Sequence, residues 1–321
     1  MKQRSIWIDY CKILLIYFVI VAHSNQIPRI ADILICSFHM PAFFMISGYL
    51  YKSNDNLWKS IKKNALRLLV PALFFSFLCS LIMDVALYKN GELTLETGLI
   101  KPIIGLIYYD SEIGMPACGV IWFLIVLFLS KIALDALFKY FGGKVVAGII
   151  LGIVVIASLI KIGNFTYLYL LERTLVSLPF VYWGYLMRKY QVLEKVLRLK
   201  CKYFVLGGGI LVYLILFPIN GRVGIHSFVF GYSLLLFYFI ALLASLLLFG
   251  FSMIVCQKES KLIIWLSSNT MTILCLHRVL LWVSSHFLHE GFSQSLIVLV
   301  LLMPIIWVLN KFCPVLIGNK K

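Results

Sequence analysis

Long apolar runs, separated by short polar or basic connectors, dominate the chain. A helix crossing the hydrocarbon core of a bilayer needs roughly 20 mostly apolar residues. On that measure the runs predict about ten membrane-spanning helices, over residues 6–24, 33–51, 66–87, 118–137, 145–162, 167–187, 203–219, 227–256, 262–284 and 294–313. The eighth run is long enough to tilt or to protrude. The second, with His39 and Pro41, and the sixth, with Glu172, Arg173 and Pro179, are the most polar. Helical runs with no alternating segments between them predict an all-α polytopic membrane protein.

Composition agrees with that pattern and excludes a water-soluble fold. Hydrophobic residues make up 62% of the 321 positions and charged residues only 13%, against about 45–50% and about 25% in ordinary soluble proteins. The formal charge of +16 would suit nucleic acid, but the bases flank apolar runs, as they do in cytoplasmic loops of membrane proteins. With the N-terminus inside, only Arg29, Lys89, Lys101, Lys161 and Arg222 fall in outer loops, and the other bases between spans collect on the inner side. Ten spans with both termini cytoplasmic is the expected topology. The first run carries Asp9 and Lys12 and no small-residue cleavage site, so a retained helix is expected. The eight cysteines form no C-x-x-C pair, no histidine stands at zinc spacing, and no metal is expected. Residues 88–117 form the one long outer segment, a candidate lid or surface helix. The remaining loops are too short for a catalytic site, so the whole of 1–321 reads as a single membrane domain with no fused soluble domain.

Polar residues at membrane depth are costly and mark function. Asp9 and Lys12, three apart on the first helix, share a face and are expected to neutralise each other. Lys12 and His23 lie three turns apart on the same side, about 16 Å along the axis. Snorkelling of Lys12 and an interfacial role for His23 would also explain them. His39, in Phe38-His39-Met40-Pro41, lies at a depth comparable to His23, and Pro41 is expected to open the second helix locally. Trp122, Glu172, Arg173, Asn269, His277 and Arg278 enter at similar levels from later helices. Together they predict a polar cavity opening outward, with histidine suited to proton transfer near neutral pH. A basic inner surface with Lys59, Lys62, Lys63, Arg67, Arg188 and Lys189 suits either anionic lipid or a phosphate-rich ligand.

In order, Asp9-Tyr10-Cys11-Lys12 with His23, Phe38-His39-Met40-Pro41 with Phe43 through Tyr49, Arg67-Leu68-Leu69-Val70-Pro71, Trp122-Phe123-Leu124, Leu178-Pro179-Phe180 with Gly184-Tyr185, and Ser268-Asn269-Thr270-Met271 before His277 are similar to integral-membrane acyltransferase family 3. The branch resembled is that of fucose 4-O-acetylase and other surface-polysaccharide O-acetyltransferases, and the resemblance runs along essentially the whole chain. It implies a ten-helix bundle of a bacterial cytoplasmic membrane, moving an acyl group from cytoplasmic acetyl-CoA or another acyl-CoA to a sugar hydroxyl of an envelope polysaccharide or lipid-linked oligosaccharide. It implies His23 as the essential catalytic residue with Lys12 as its signature partner. Acyl transfer to a hydroxyl needs a base, for which His23 is the candidate, with His39 or His277 as proton partner or oxyanion donor. Lys12, Lys63 and Arg67 would hold the CoA, and Asp9, Trp122, Glu172, Arg173 and Asn269 would position substrate or structure. Where the family often carries Arg-x-x-Arg, this chain has Asn64, with Lys63 beside it.

Other chemistries remain open on the residues alone. Transfer of a succinyl or longer acyl group would use the same site. A transporter or flippase of a glycan precursor also needs many helices and a polar interior, although no internal repeat is evident. A scaffold or sensor that kept the fold without the activity is the third reading.

Overall fold

The computed structural model describes residues 4–53, 56–89, 91–100, 103–104, 118–159 and 169–318. Most of the 88–117 segment, including Asp110 and Glu112, lies outside the described residues, as do the ends of the fifth and sixth expected spans.

Helices occupy each of the ten predicted stretches. They are α1 (Ile6–Ala22), α2 (Arg29–Cys36), α3 (His39–Tyr49), α4 (Leu57–Asn64), α5 (Val70–Lys89), α6 (Ile121–Tyr140), α7 (Gly143–Leu159), α8 (Tyr169–Lys189), α9 (Val192–Arg198), α10 (Lys202–Asn220), α11 (Leu234–Val255), α12 (Lys261–Ser268), α13 (Thr270–Ser284) and α14 (Phe292–Phe312). Among the described residues, six stretches are long and apolar enough to cross a membrane: 29–49, 57–85, 121–140, 202–220, 234–255 and 292–312. The bent pair α12–α13 makes a seventh if it is one span. At 17 residues each, α1 and α7 are shorter. In α8, Glu172, Arg173, Arg188 and Lys189 sit within 21 residues.

α1 runs through the middle of the bundle, touching α2, α3 and α11 through α14. Its Cys11, Leu15, Ile16, Val19 and Ile20 are buried. The tightest crossing is between α3 and α8. A methyl group built on Gly48 would overlap the Val181 carbonyl, and one on Gly184 would overlap the Met45 carbonyl. Glycine lets the two backbones meet where larger residues would hold the axes apart.

Three predicted spans differ in detail. The second is broken after Cys36, and Pro41 stands in the first turn of α3 rather than within a helix. There a proline removes an N–H that would have no partner inside the helix anyway. The eighth does not extend to 227. Val223–Gly224 pairs antiparallel with Val229–Phe230 in a short hairpin, and α11 begins only at Leu234. The Asn220 amide closes this hairpin, donating to the Phe230 carbonyl at 3.1 Å and accepting from the Ser233 N–H at 3.1 Å. Ser233 then caps α11 through the Leu236 N–H. The ninth bends by 76° between α12 and α13.

Candidate active site

His23 and His39 sit where a helix breaks, and the break fixes their rings. The His23 backbone N–H turns to the Ile20 carbonyl at 3.1 Å, as α1 ends. Its ring Nδ1 takes the Val19 carbonyl at 2.8 Å. His39 opens α3, and its Nδ1 takes the Ile35 carbonyl of α2 at 2.7 Å. On α13, His277 Nδ1 takes the Leu274 carbonyl at 2.6 Å. A carbonyl only accepts, so in each neutral ring the proton is on Nδ1 and the lone pair is on Nε2. A base with a fixed tautomer is what proton abstraction from a hydroxyl requires.

The rings of His23 and His277 meet edge to face, with centroids 4.9 Å apart. His23 is open to a cavity, whereas His277 is fully buried behind it, its Nε2 without a hydrogen-bond partner among the described residues. The cavity, of about 390 Å³, is lined by His23, His39, Trp122, Arg222, His226 and Arg278 among polar and aromatic groups. Val19, Met40, Val120, Phe123, Ile225 and Leu274 supply its apolar walls.

A second cleft, of about 170 Å³, holds Lys12 and Ile16 and shares Met40, Phe123 and Leu274 with the first. Lys12, Ile16, Val19 and His23 thus form one stripe of α1, spaced four, three and four residues apart, running along both cavities. Lys12 and Asp9 feel each other's charge as the sequence suggested, but among the described residues they make no direct ion pair. Arg4 grips the buried Asp9 carboxylate with two bonds, at 2.7 and 2.9 Å, and Ser267 donates to it at 2.5 Å. With Asp9 occupied from the chain's start and from α12, Lys12 faces the cleft.

The basic end contains a residue that sequence reading missed. Lys131 of α6 feels the charges of Arg67, Lys63 and Lys12. Four residues on, Asp135 is buried and accepts from the hydroxyls of Tyr51 and Ser60. Among the described residues it forms no ion pair with Lys131. This buried network ties α4 to α6, and Asn64 joins it, donating to the Ser60 carbonyl at 3.0 Å. Asn64 therefore does structural work at the position where the family pattern has a second arginine. Arg67 lies in a π-helical turn, Ala65–Leu69, between α4 and α5. A lysine inside the apolar run of α6 was the signal for Lys131.

Other expected residues hold the walls. Glu172 and Arg173 are buried and paired at 2.9 Å. Neither lines the cavity. Arg173 donates to the His226 carbonyl at 3.1 and 3.3 Å and lies 4.5 Å over the Phe228 ring. It thereby pins the hairpin that carries His226 into the cavity wall. Asn269 sits at the α12–α13 bend. Its amide donates to the Trp265 carbonyl at 2.8 Å, while its oxygen accepts from Asn310 at 2.8 Å. That bend turns Arg278 to the cavity and seats His277 against the His23 ring. Trp122 does line it, edge to face with His226 at 5.7 Å. His226 escaped the sequence reading because it stands in a loop, beyond any apolar run. Burial pushes its imidazole down to about 4, with Arg173, Arg278 and His23 acting the same way. It is uncharged at neutral pH.

Among the described residues, no three His, Cys, Asp or Glu side chains are grouped to hold a metal ion. The cysteines are free thiols.

A family model described as an acyltransferase domain matches residues 5–311. The chain belongs to acyltransferase family 3. Nodulation protein NolL of Mesorhizobium japonicum is 29% identical over 149 residues, covering 42% of this chain and 36% of that protein. The chain thus matches about a third of the length of this curated relative. No solved structure matches it. The family match and the long apolar helices together mark a membrane-embedded member of this family.

Proposed function

We propose that the protein is an O-acyltransferase, with acetyl as the first acyl group to test. It takes that group from cytoplasmic acyl-CoA and delivers it to a hydroxyl of a cell-surface or lipid-linked glycan. The observation that carries this reading is the adjacency of the Lys12 cleft and the histidine cavity, which share Met40, Phe123 and Leu274 as a common wall. Lys12, Lys63, Arg67 and Lys131 form a cationic cluster at one end, and phosphates are its natural complement. A slender, largely apolar thioester arm suits the lane between, which extends about 16 Å from Lys12 to His23 along α1.

In this scheme His23 Nε2 takes the proton of the acceptor hydroxyl as its oxygen attacks the thioester carbonyl. The C–O bond forms, the C–S bond breaks, and the proton ends on the leaving thiolate. His277 Nε2, with its Nδ1–H already donated, is placed to share that proton. Arg278 supplies positive charge for the oxyanion. His39 shapes the same wall.

Positive-inside bias puts the basic end in the cytoplasm and the histidines towards the outer face of a bacterial cytoplasmic membrane. α1, α7 and α8 then complete ten spans with both termini inside, the whole chain forming one domain.

The test is transfer of labelled acetyl from acetyl-CoA to surface glycan, in membranes carrying wild-type protein or His23→Ala at equal abundance. Label that needs both the protein and His23 supports the reading. Failure across a panel of acyl-CoAs and glycans would overturn it and favour transport of a glycan precursor.

A further inference from the structure

Beyond His23, a second small pocket of about 180 Å³ shares His23 and Arg278 with the main cavity. Its character differs from that of the lane. Asn25, Ser285 and Glu290 offer hydrogen-bonding groups, and Trp282 is 44% exposed. Asn25 Nδ2 donates to Glu290 Oε1 at 3.0 Å, which fixes the carboxylate at the rim. His286 braces Trp282 edge-on at 5.5 Å, its Nδ1 bonded to the Trp282 carbonyl at 3.0 Å.

The floor is rigid. Buried Ser24 donates to Gln294 at 3.2 Å and accepts from the Gly291 N–H at 2.7 Å, and Gln294 donates to Ser284 at 2.9 Å and to the Leu281 carbonyl at 3.1 Å. Its polar groups are satisfied internally, and recognition falls to the walls.

The Glu290 carboxylate offsets the Arg278 guanidinium in this pocket, which leaves it no net charge to favour an anionic donor. Polar groups around an aromatic face are the lining that a polyhydroxylated ring needs. The volume is below the roughly 300–1,000 Å³ of pockets that enclose a drug-sized ligand, so it admits one ring rather than an oligosaccharide.

We propose that this pocket is the acceptor subsite: it seats one uncharged sugar ring, Trp282 against its face and Asn25 and Glu290 on its hydroxyls, with a free hydroxyl towards His23. The inference rests on the acyl-transfer reading, and it assigns Asn25, Trp282 and Glu290 to acceptor specificity. The reaction balances as above: the ring hydroxyl gives its proton to His23 Nε2, its oxygen bonds the acyl carbon, and the thiol leaves with a proton.

The probe is a set of methyl hexopyranosides and methyl 6-deoxyhexopyranosides, given with labelled acetyl-CoA to the purified full chain in lipid nanodiscs. Trp282→Ala and Glu290→Gln should raise KM for the glycoside by at least about tenfold and leave KM for acetyl-CoA unchanged. In His23→Ala, which keeps Asn25, Trp282 and Glu290, the glycoside should still raise the unfolding temperature, and adding Trp282→Ala should abolish that shift. Equal effects on both KM values, or none on either, would overturn the subsite. His23-dependent cleavage of acetyl-CoA with no glycoside acylated would also overturn it, while leaving the acyl-transfer reading standing. Absence of both cleavage and transfer would remove the acyl-transfer reading itself.

Discussion

His23 and His277 stand edge to face at 4.9 Å, each with Nδ1 committed to a backbone carbonyl of its own helix. Neither Nε2 of the neutral pair has a proton to donate to the other, so the arrangement is completed by one shared proton. A hydroxyl arriving beside His23 is the natural source.

Replacing either histidine should therefore remove most of the activity without unfolding the protein. We expect His23→Ala to lower kcat by about 10²–10⁴-fold, the usual range for loss of a general base. His277→Ala should show a smaller loss, with a shifted pH profile of kcat. Equal gel-filtration profiles in detergent would exclude misfolding. Unchanged acyl transfer in His23→Ala would refute the assignment.

The basic end makes a separate prediction. Lys131→Met and Arg67→Ala should raise KM for acyl-CoA while leaving KM for the acceptor unchanged, because the charges lie at the far end of the lane. The effect should shrink as salt rises, since screening weakens exposed charges such as Arg67. A drop in kcat alone would argue against phosphate binding.

The α3–α8 crossing is the place to test packing. Gly48→Ala drives a methyl group into the Val181 carbonyl, and overpacking of this kind costs about 1–3 kcal/mol. Thermal unfolding in detergent should shift down by several degrees, with Gly184→Ala behaving alike. A neutral result would mean that the two backbones separate easily.

Arg4→Ala leaves the buried Asp9 carboxylate with Ser267 as its remaining hydrogen-bond donor. Losing hydrogen bonds to a charged group costs about 1.5–3 kcal/mol, less here because Arg4 is itself half exposed. The double variant Arg4→Ala with Asp9→Asn should recover part of the loss, as unfolding temperatures would reveal.

Acid should loosen the hairpin. His226 titrates at about 4 in the fold against an ordinary 6.5. Between those values the unfolded state binds more protons, so stability falls as pH drops through the window. The unfolding temperature should decline from pH 7 towards 4, and His226→Gln should flatten part of the slope.

The membrane class, the positions of the helices and the polar positions on α1 were legible in the sequence, because burial in lipid demands long apolar runs and makes each exception conspicuous. Lys12, His23, His39 and His277 stood out for that reason; the structure brings the first three to a pair of adjacent cavities and buries His277 against the His23 ring. Partners were not legible. Asp9 sits three residues from Lys12, yet Arg4 and Ser267 hold it, since close approach of α1 and α12 sets which donors reach a buried carboxylate. Glu172, Arg173 and Asn269 stood out equally, but they pin a hairpin and a bend. The bend at Asn269, the break before His39 and the fold-back of residues 223–230 direct side chains that no linear spacing aligns. His226 and Lys131 join the site only through packing. Apolar periodicity specifies which segments enter the membrane, while the contacts between helices specify which polar groups meet there.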